Sequence, residues 1–343
     1  MNELNEKKEL EIESDMPAPA DVDPADGSPI PDHTDHRPRH AAEKKRSPLL
    51  PILLIGGVLV VAICAFFLIR ALTTSEPSAQ GAFVEEKTEY IGKGEIIQIN
   101  DPELGLIEIE AIEGVAKNNY DKNNFAYDEN GLITYYIDGE QASCTGVDLS
   151  EYQSGVDFEA LAASGVDYVM LRLGGRYYGD EGALYADALF SDYYDAAKDA
   201  GLDVGAYFFS QAASVADGEE EAAYALTLLS GRELDYPVAF DWEIIADDEA
   251  RTDTVTGELL TDIAERFCDV IDQAGYTSVI YANTSLMYYQ YDLSRMKDYD
   301  FWVADYGNFP TMYYGFSMWQ YTTEGTVDGI DGTVDLNMCF KNY

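Results

Sequence analysis

The chain has 343 residues, 47% of them hydrophobic, which suits one large core with appendages. Its formal charge of -43 repels phosphate backbones and argues against a nucleic-acid partner. All three histidines, His33, His36 and His40, precede the apolar part of the chain. Ser-His-Asp, Cys-His and His-ligated zinc hydrolysis are thereby excluded from the folded region. Carboxylates are left as the main acid/base candidates, and neither a metal nor a cofactor is called for.

Residues 1–47 are rich in Pro, Asp, Glu and Lys with few large apolar side chains, and read as a disordered cytoplasmic tail. Within 48–72, the stretch from Leu49 to Ile69 gives about 21 uncharged, mostly apolar residues, enough as a helix to span a hydrocarbon core of roughly 30 Å. Arg37, Arg39, Lys44, Lys45 and Arg46 precede it and only Arg70 closes it. The positive-inside rule then gives a single-pass cell-membrane protein, N-terminus cytoplasmic, the rest outside and the lipid bilayer as a partner. A cleaved signal peptide is the competing reading, but the run is long, starts late and lacks a small-x-small site. Residues 73–84 form a linker.

From 85 to 143, short apolar segments (Ile96 to Ile99, Leu106 to Ile109, Leu132 to Ile137) alternate with turn signals such as Glu129-Asn130-Gly131, predicting a small β-rich extension. No chemistry attaches to it. Residues 144–343 alternate strands with helices. At three junctions an amphipathic helix stops at a glycine, Gly165, Gly201 or Gly275, and a β-prone run follows. The helix before Gly275 carries Leu260, Ile263, Ala264, Phe267 and Ile271 at helical spacing. Eight strands, beginning near Gly146, Asp167, Asp203, Pro237, Thr277, Phe301, Ser317 and Thr333, predict an α/β fold: a parallel, irregular (β/α)8-type, TIM-like barrel with little room for helices between its last strands.

In such barrels chemistry sits where the strands end. Asp241 and Glu243 flank Trp242 after the apolar run Tyr236-Pro237-Val238-Ala239-Phe240, so on a strand both carboxylates share one face. Paired carboxylates suit glycosidic bond cleavage, and their mutual repulsion can keep one protonated at neutral pH. Asp148 ends the first strand, Asp335 lies in the last, and Asp305 follows the sixth. Tyr207, Trp302 and Trp319 supply aromatic faces suited to sugar rings, or ordinary core. Arg172, on the second strand, holds an active-site acid or satisfies a buried charge.

Together these residues resemble glycoside hydrolase family 25, the Chalaropsis-type lysozymes or N-acetylmuramidases. The matches are Gly146-Val147-Asp148-Leu149-Ser150 with Tyr152-Gln153, Asp241-Trp242-Glu243, Trp302-Val303-Ala304, Trp319-Gln320-Tyr321 and Val334-Asp335-Leu336-Asn337, in family order. Tyr207-Phe208-Phe209 departs from the family's Tyr-His-Phe, leaving the histidine absent. The resemblance implies that Glu243 is the general acid/base and Asp241 the second carboxylate, either a nucleophile or a stabiliser of an oxazolinium. Asp148 and Asp335 would line the floor, and peptidoglycan glycan strands would be the substrate. A chitinase-like hydrolase and a catalytically silent wall-binding protein are the alternatives.

First and last strands are neighbours in a closed barrel, which brings Cys144 and Cys339 into range of a disulfide outside the cell, although free thiols stay open as well. Cys268 is expected as a buried small apolar residue on a helix.

Overall fold

The computed structural model describes residues 88–101, 104–246 and 248–343. The expected tail, membrane span and linker lie outside them. Among the described residues no helix is long and apolar enough to cross a membrane.

The extension forms two small antiparallel sheets: β1 (Ile96–Asp101) with β2 (Gly105–Glu110), and β3 (Phe125–Tyr127), β4 (Ile133–Ile137) and β5 (Glu140–Gln141). A closed eight-stranded barrel follows. Its strands are β6 (Cys144–Leu149), β7 (Tyr168–Arg176), β9 (Asp203–Ser210), β10 (Val238–Trp242), β11 (Ser278–Asn283), β12 (Phe301–Ala304), β13 (Met318–Gly325) and β14 (Val334–Cys339). β6 pairs with both β7 and β14 to shut the ring, while β8 (Leu184–Ala186) adds antiparallel to β7.

Five helices connect the early strands: α1 (Phe158–Ala163), α2 (Phe190–Ala200), α3 (Val215–Leu229), α4 (Gly257–Gln273) and α5 (Thr284–Tyr289). Asp157, Ser214 and Thr256 start α1, α3 and α4 by accepting a backbone N–H with their side chains. Gly165, Gly201 and Gly275 stand at the three junctions with φ of 94°, 84° and 89°, the left-handed conformation that stops a helix. Along α4 the stripe Leu260, Ile263, Ala264, Phe267 and Ile271 is buried, and Cys268 with it.

One expectation needs correction, and one open alternative is decided. The strands are not all parallel, because β14 runs antiparallel to both β13 and β6. Residues 326–333 are too short a connection for the crossover that a parallel return requires. Nor are Cys144 and Cys339 bonded. They are Cα partners across β6 and β14, yet both are free thiols, and Cys339 Sγ donates to Lys341 O at 3.1 Å. Burial pushes the Cys144 thiol up to about 11, so it stays protonated and unreactive.

Among the described residues no helix lies between β12 and β13 or between β13 and β14, so the barrel's late flank needs another cover. The extension supplies it. Phe125, Leu132, Ile133 and Tyr135 join the same buried cluster as Val147, Leu149, Trp319, Tyr321, Leu336 and Met338 from β6, β13 and β14. Phe125 meets Trp319 edge-on at 5.5 Å, Tyr120 stacks on Phe340 at 3.9 Å, and Tyr120 Oη donates to Phe316 O at 2.9 Å. Inside the ring a second cluster, including Tyr168, Met170, Tyr236, Ala239, Val279 and Met318, fills the barrel below its mouth. Gly146 makes room for it, since a Cβ there would sit 2.3 Å from the Tyr168 ring.

Candidate active site

Alternation along β10 sorts its side chains. Val238, Phe240 and Trp242 pack outward against the helical layer, and Trp242 Nε1 donates to Ala212 O at 3.2 Å. Ala239 and Asp241 therefore face the interior. Glu243 follows the strand's end, where Gln211 Nε2 pins its carbonyl oxygen at 2.8 Å and Thr252 Oγ1 in turn holds Gln211 Oε1 at 3.0 Å. The backbone carrying the second acid is thus fixed by a buried amide.

Asp241 is only 6% exposed, and its Oδ1 has no hydrogen-bond donor among the described residues. Burial holds its carboxyl well above the ordinary range, and the neighbouring Glu243 and Asp148 add to the effect while Arg172 opposes it. Burial also raises Glu243, against a hydrogen bond with Asp241 that lowers it. Two neighbouring acids cannot both ionise cheaply, which favours a proton kept on the pair, with the deeper Asp241 raised the further.

A second pair of acids lies on the floor. Asp148 of β6 and Asp335 of β14 are cross-strand Cα partners. Burial, then the Asp335 charge, raises Asp148; burial raises Asp335 as well. Four carboxyl groups from three strands thus share one mouth. Arg172 is the cation that opposes the Asp241 shift, but it is largely engaged by Asp187 at 2.8 Å and Glu151 at 3.2 Å. It serves as a rim ion pair, with the exposed Tyr152 ring 4.8 Å from its guanidinium.

The aromatic residues divide. Tyr207 is half-buried beside the acids and meets Trp302 edge-on at 6.4 Å. Trp302 is 2% exposed and lies under the floor, donating from Nε1 to Asn337 Oδ1 at 2.9 Å, so it offers no open face to a sugar. Trp319 does not reach the mouth at all. It points outward from β13 into the extension's core, and its Nε1 donates to Asp305 O at 2.7 Å. In the motif Trp319-Gln320-Tyr321 the inward residue is the middle one, because alternate residues face opposite ways. Asp305 ties its own loop, accepting from Met312 N at 2.8 Å and Thr311 Oγ1 at 3.1 Å.

The sequence reading passed over the amides and tyrosines of the floor. Gln320 Nε2 donates to Asp148 Oδ2 at 3.0 Å and to Asp335 Oδ2 at 3.4 Å, and its Oε1 accepts from Tyr281 at 2.9 Å and Tyr306 at 3.2 Å. Asn337 Nδ2 donates to Asp148 Oδ2 at 2.8 Å. Both amides stand inside motifs already noticed for other residues. Their inward facing was the missed signal.

An eight-stranded barrel with paired, raised carboxyl groups at its C-terminal mouth is the arrangement that suits glycosidic bond cleavage. The sequence pattern of glycosyl hydrolases family 25 matches residues 147–330, and the chain belongs to that family. Over 197 residues it is 32% identical to the autolytic lysozyme of Clostridium acetobutylicum, covering 56% of this chain and 54% of that protein. It is 27% identical over 204 residues to lysozyme M1 of Streptomyces globisporus, 56% of this chain and 66% of that one. The chain thus spans about half the length of the autolytic lysozyme it matches. The spore cortex lytic enzyme SleM of Clostridium perfringens shares the fold at a TM-score of 0.51 and 24% identity, covering 59% of this chain and 68% of that one. A family 25 glycosyl hydrolase from Bacillus anthracis does so at 0.50 and 19%, covering 61% and 93%.

Proposed function

We propose that this chain is a membrane-anchored peptidoglycan muramidase, hydrolysing the β-1,4 bond between N-acetylmuramic acid and N-acetylglucosamine with retention. The observation that carries the reading is the Asp241–Glu243 pair, both raised, at the mouth of a family 25 barrel. Glu243 is the more exposed of the two, so a sugar settling on it removes its remaining water. That desolvation draws the shared proton outward from Asp241 to Glu243. Glu243 then protonates the glycosidic oxygen as the C1–O bond breaks, and the newly ionised Asp241 faces the positive charge developing at C1. Asp241 acts there either as nucleophile or by stabilising an oxazolinium formed from the substrate's acetamido group. Water, deprotonated by Glu243, completes the cycle on the same face. Anchored by the apolar span at 48–72 and joined by the short linker at 73–84, the enzyme would be held close to its polymer.

Mass spectrometry of muropeptides from purified walls tests this, with product anomers read by NMR. New reducing-end muramic acid, first formed as the β-anomer, is expected. Glu243→Gln should lower the rate by about 100-fold or more. Equal wall lysis by that variant and the parent, or cleavage of chitin but not of wall, overturns the reading.

A further inference from the structure

We infer that Asn337 and Gln320 are positioning residues that fix Asp148 Oδ2 as a hydrogen-bond acceptor, turning the other Asp148 oxygen toward Asp335 and setting the charge felt by the catalytic pair. The inference rests on the proposed roles of Asp241 and Glu243. Its geometry begins at Trp302. An indole N–H can only donate, so the Asn337 atom that it meets at 2.9 Å must be the amide oxygen. The opposite end of that amide is then NH2, which points at Asp148 Oδ2 at 2.8 Å. Gln320 brings a second N–H to the same oxygen at 3.0 Å, while Tyr281 and Tyr306 occupy its carbonyl. Asn337 is fully buried and Gln320 is 3% exposed, so water does not substitute for either donor.

An oxygen that receives two N–H groups is not the one bearing a proton. Any proton on Asp148 therefore sits on its other oxygen, and the two N–H donors favour an Asp148 that keeps its negative charge next to Asp241. Hydrogen bonds to a carboxylate favour its charged form. Removing a donor lets Asp148 take up a proton more readily and become neutral. Asp241 then loses a repelling neighbour and releases its own proton at lower pH. Cleavage requires that proton, so the alkaline limb of activity moves down.

The test uses Asn337→Leu and Gln320→Met in the full-length protein, each removing one N–H donor, with folding checked by near-UV circular dichroism. The expected result is a kcat/KM lower by roughly ten-fold, mostly in kcat, with the alkaline limb displaced by about one pH unit toward acid. A readout independent of activity is the Trp302 indole N–H resonance, followed against pH in the Glu243→Gln background. It should titrate with the floor acids in that background and shift its midpoint upward when Gln320→Met is added. Active variants with the parent's pH profile, or an indole midpoint that Gln320→Met leaves in place, overturn the inference. A parent that fails to cleave walls while the indole midpoint still moves refutes the proposed function and leaves the positioning role of Asn337 and Gln320 standing.

Discussion

Tyr135→Ala tests whether the extension is part of the barrel's own core. Tyr135 is 1% exposed and lies among Phe125 at 4.7 Å, Phe340 at 5.5 Å and Tyr120 at 5.6 Å between ring centroids. Its hydroxyl also accepts the Asp121 N–H at 3.1 Å. Truncating a buried aromatic costs about 3–5 kcal/mol through lost transfer energy and the cavity left behind. Against a typical total of about 5–15 kcal/mol, that is a large fraction. All three tryptophans, Trp242, Trp302 and Trp319, belong to barrel strands, so their fluorescence in urea reports the barrel while the mutation sits in the extension. With a slope of about 3 kcal/mol per molar, the midpoint should fall by about 1 M or more in a single transition. Tyr135→Phe, which keeps the ring and loses one acceptor, should cost about 1 kcal/mol. A fluorescence midpoint unmoved by Tyr135→Ala would mean that the flank of β13, β14 and β6 stands without this cover.

Two further outcomes follow from the buried charges. Asp241 has a folded-state pKa above its unfolded value, so its contribution to stability is present at low pH and is lost as pH rises through the raised range. Asp241→Asn should remove that slope, so that the variant gains on the parent as pH rises above the ordinary carboxylate range, reaching about 1 kcal/mol at pH 8, as thermal melts across pH would show. Arg176 donates from Nε to the fully buried Glu221 at 2.7 Å, and burial already pushes that carboxyl up to about 7. Arg176→Met strands Glu221 and should cost about 3 kcal/mol at pH 8, less at pH 5 where the acid is neutral. Equal losses at both pH values in urea titrations would sink that account.

Much of the site was legible because strand alternation is a local rule. It put Asp241 and Glu243 on one side of β10 with Trp242 on the other, and it placed eight strand starts within a few residues of those observed. The same rule, applied to β13, assigns Gln320 inward and Trp319 outward. What hid this was the missing helix on that flank: an outward Trp normally meets solvent or a helix, and only the extension's fold reveals the core waiting for it. The reversed β14 and the free thiols were hidden for a related reason, since strand direction and thiol geometry depend on how the ring closes.

By itself, then, the order of residues determined which segments become strands, where helices stop, and which acids stand at strand ends, because backbone sterics and side-chain periodicity act over a few residues. Only the closed barrel decided which acids meet, which of them hold a proton more readily, and which amides hold them. Those quantities depend on burial and on distances between β6, β10, β13 and β14, which are far apart along the chain and adjacent only after folding.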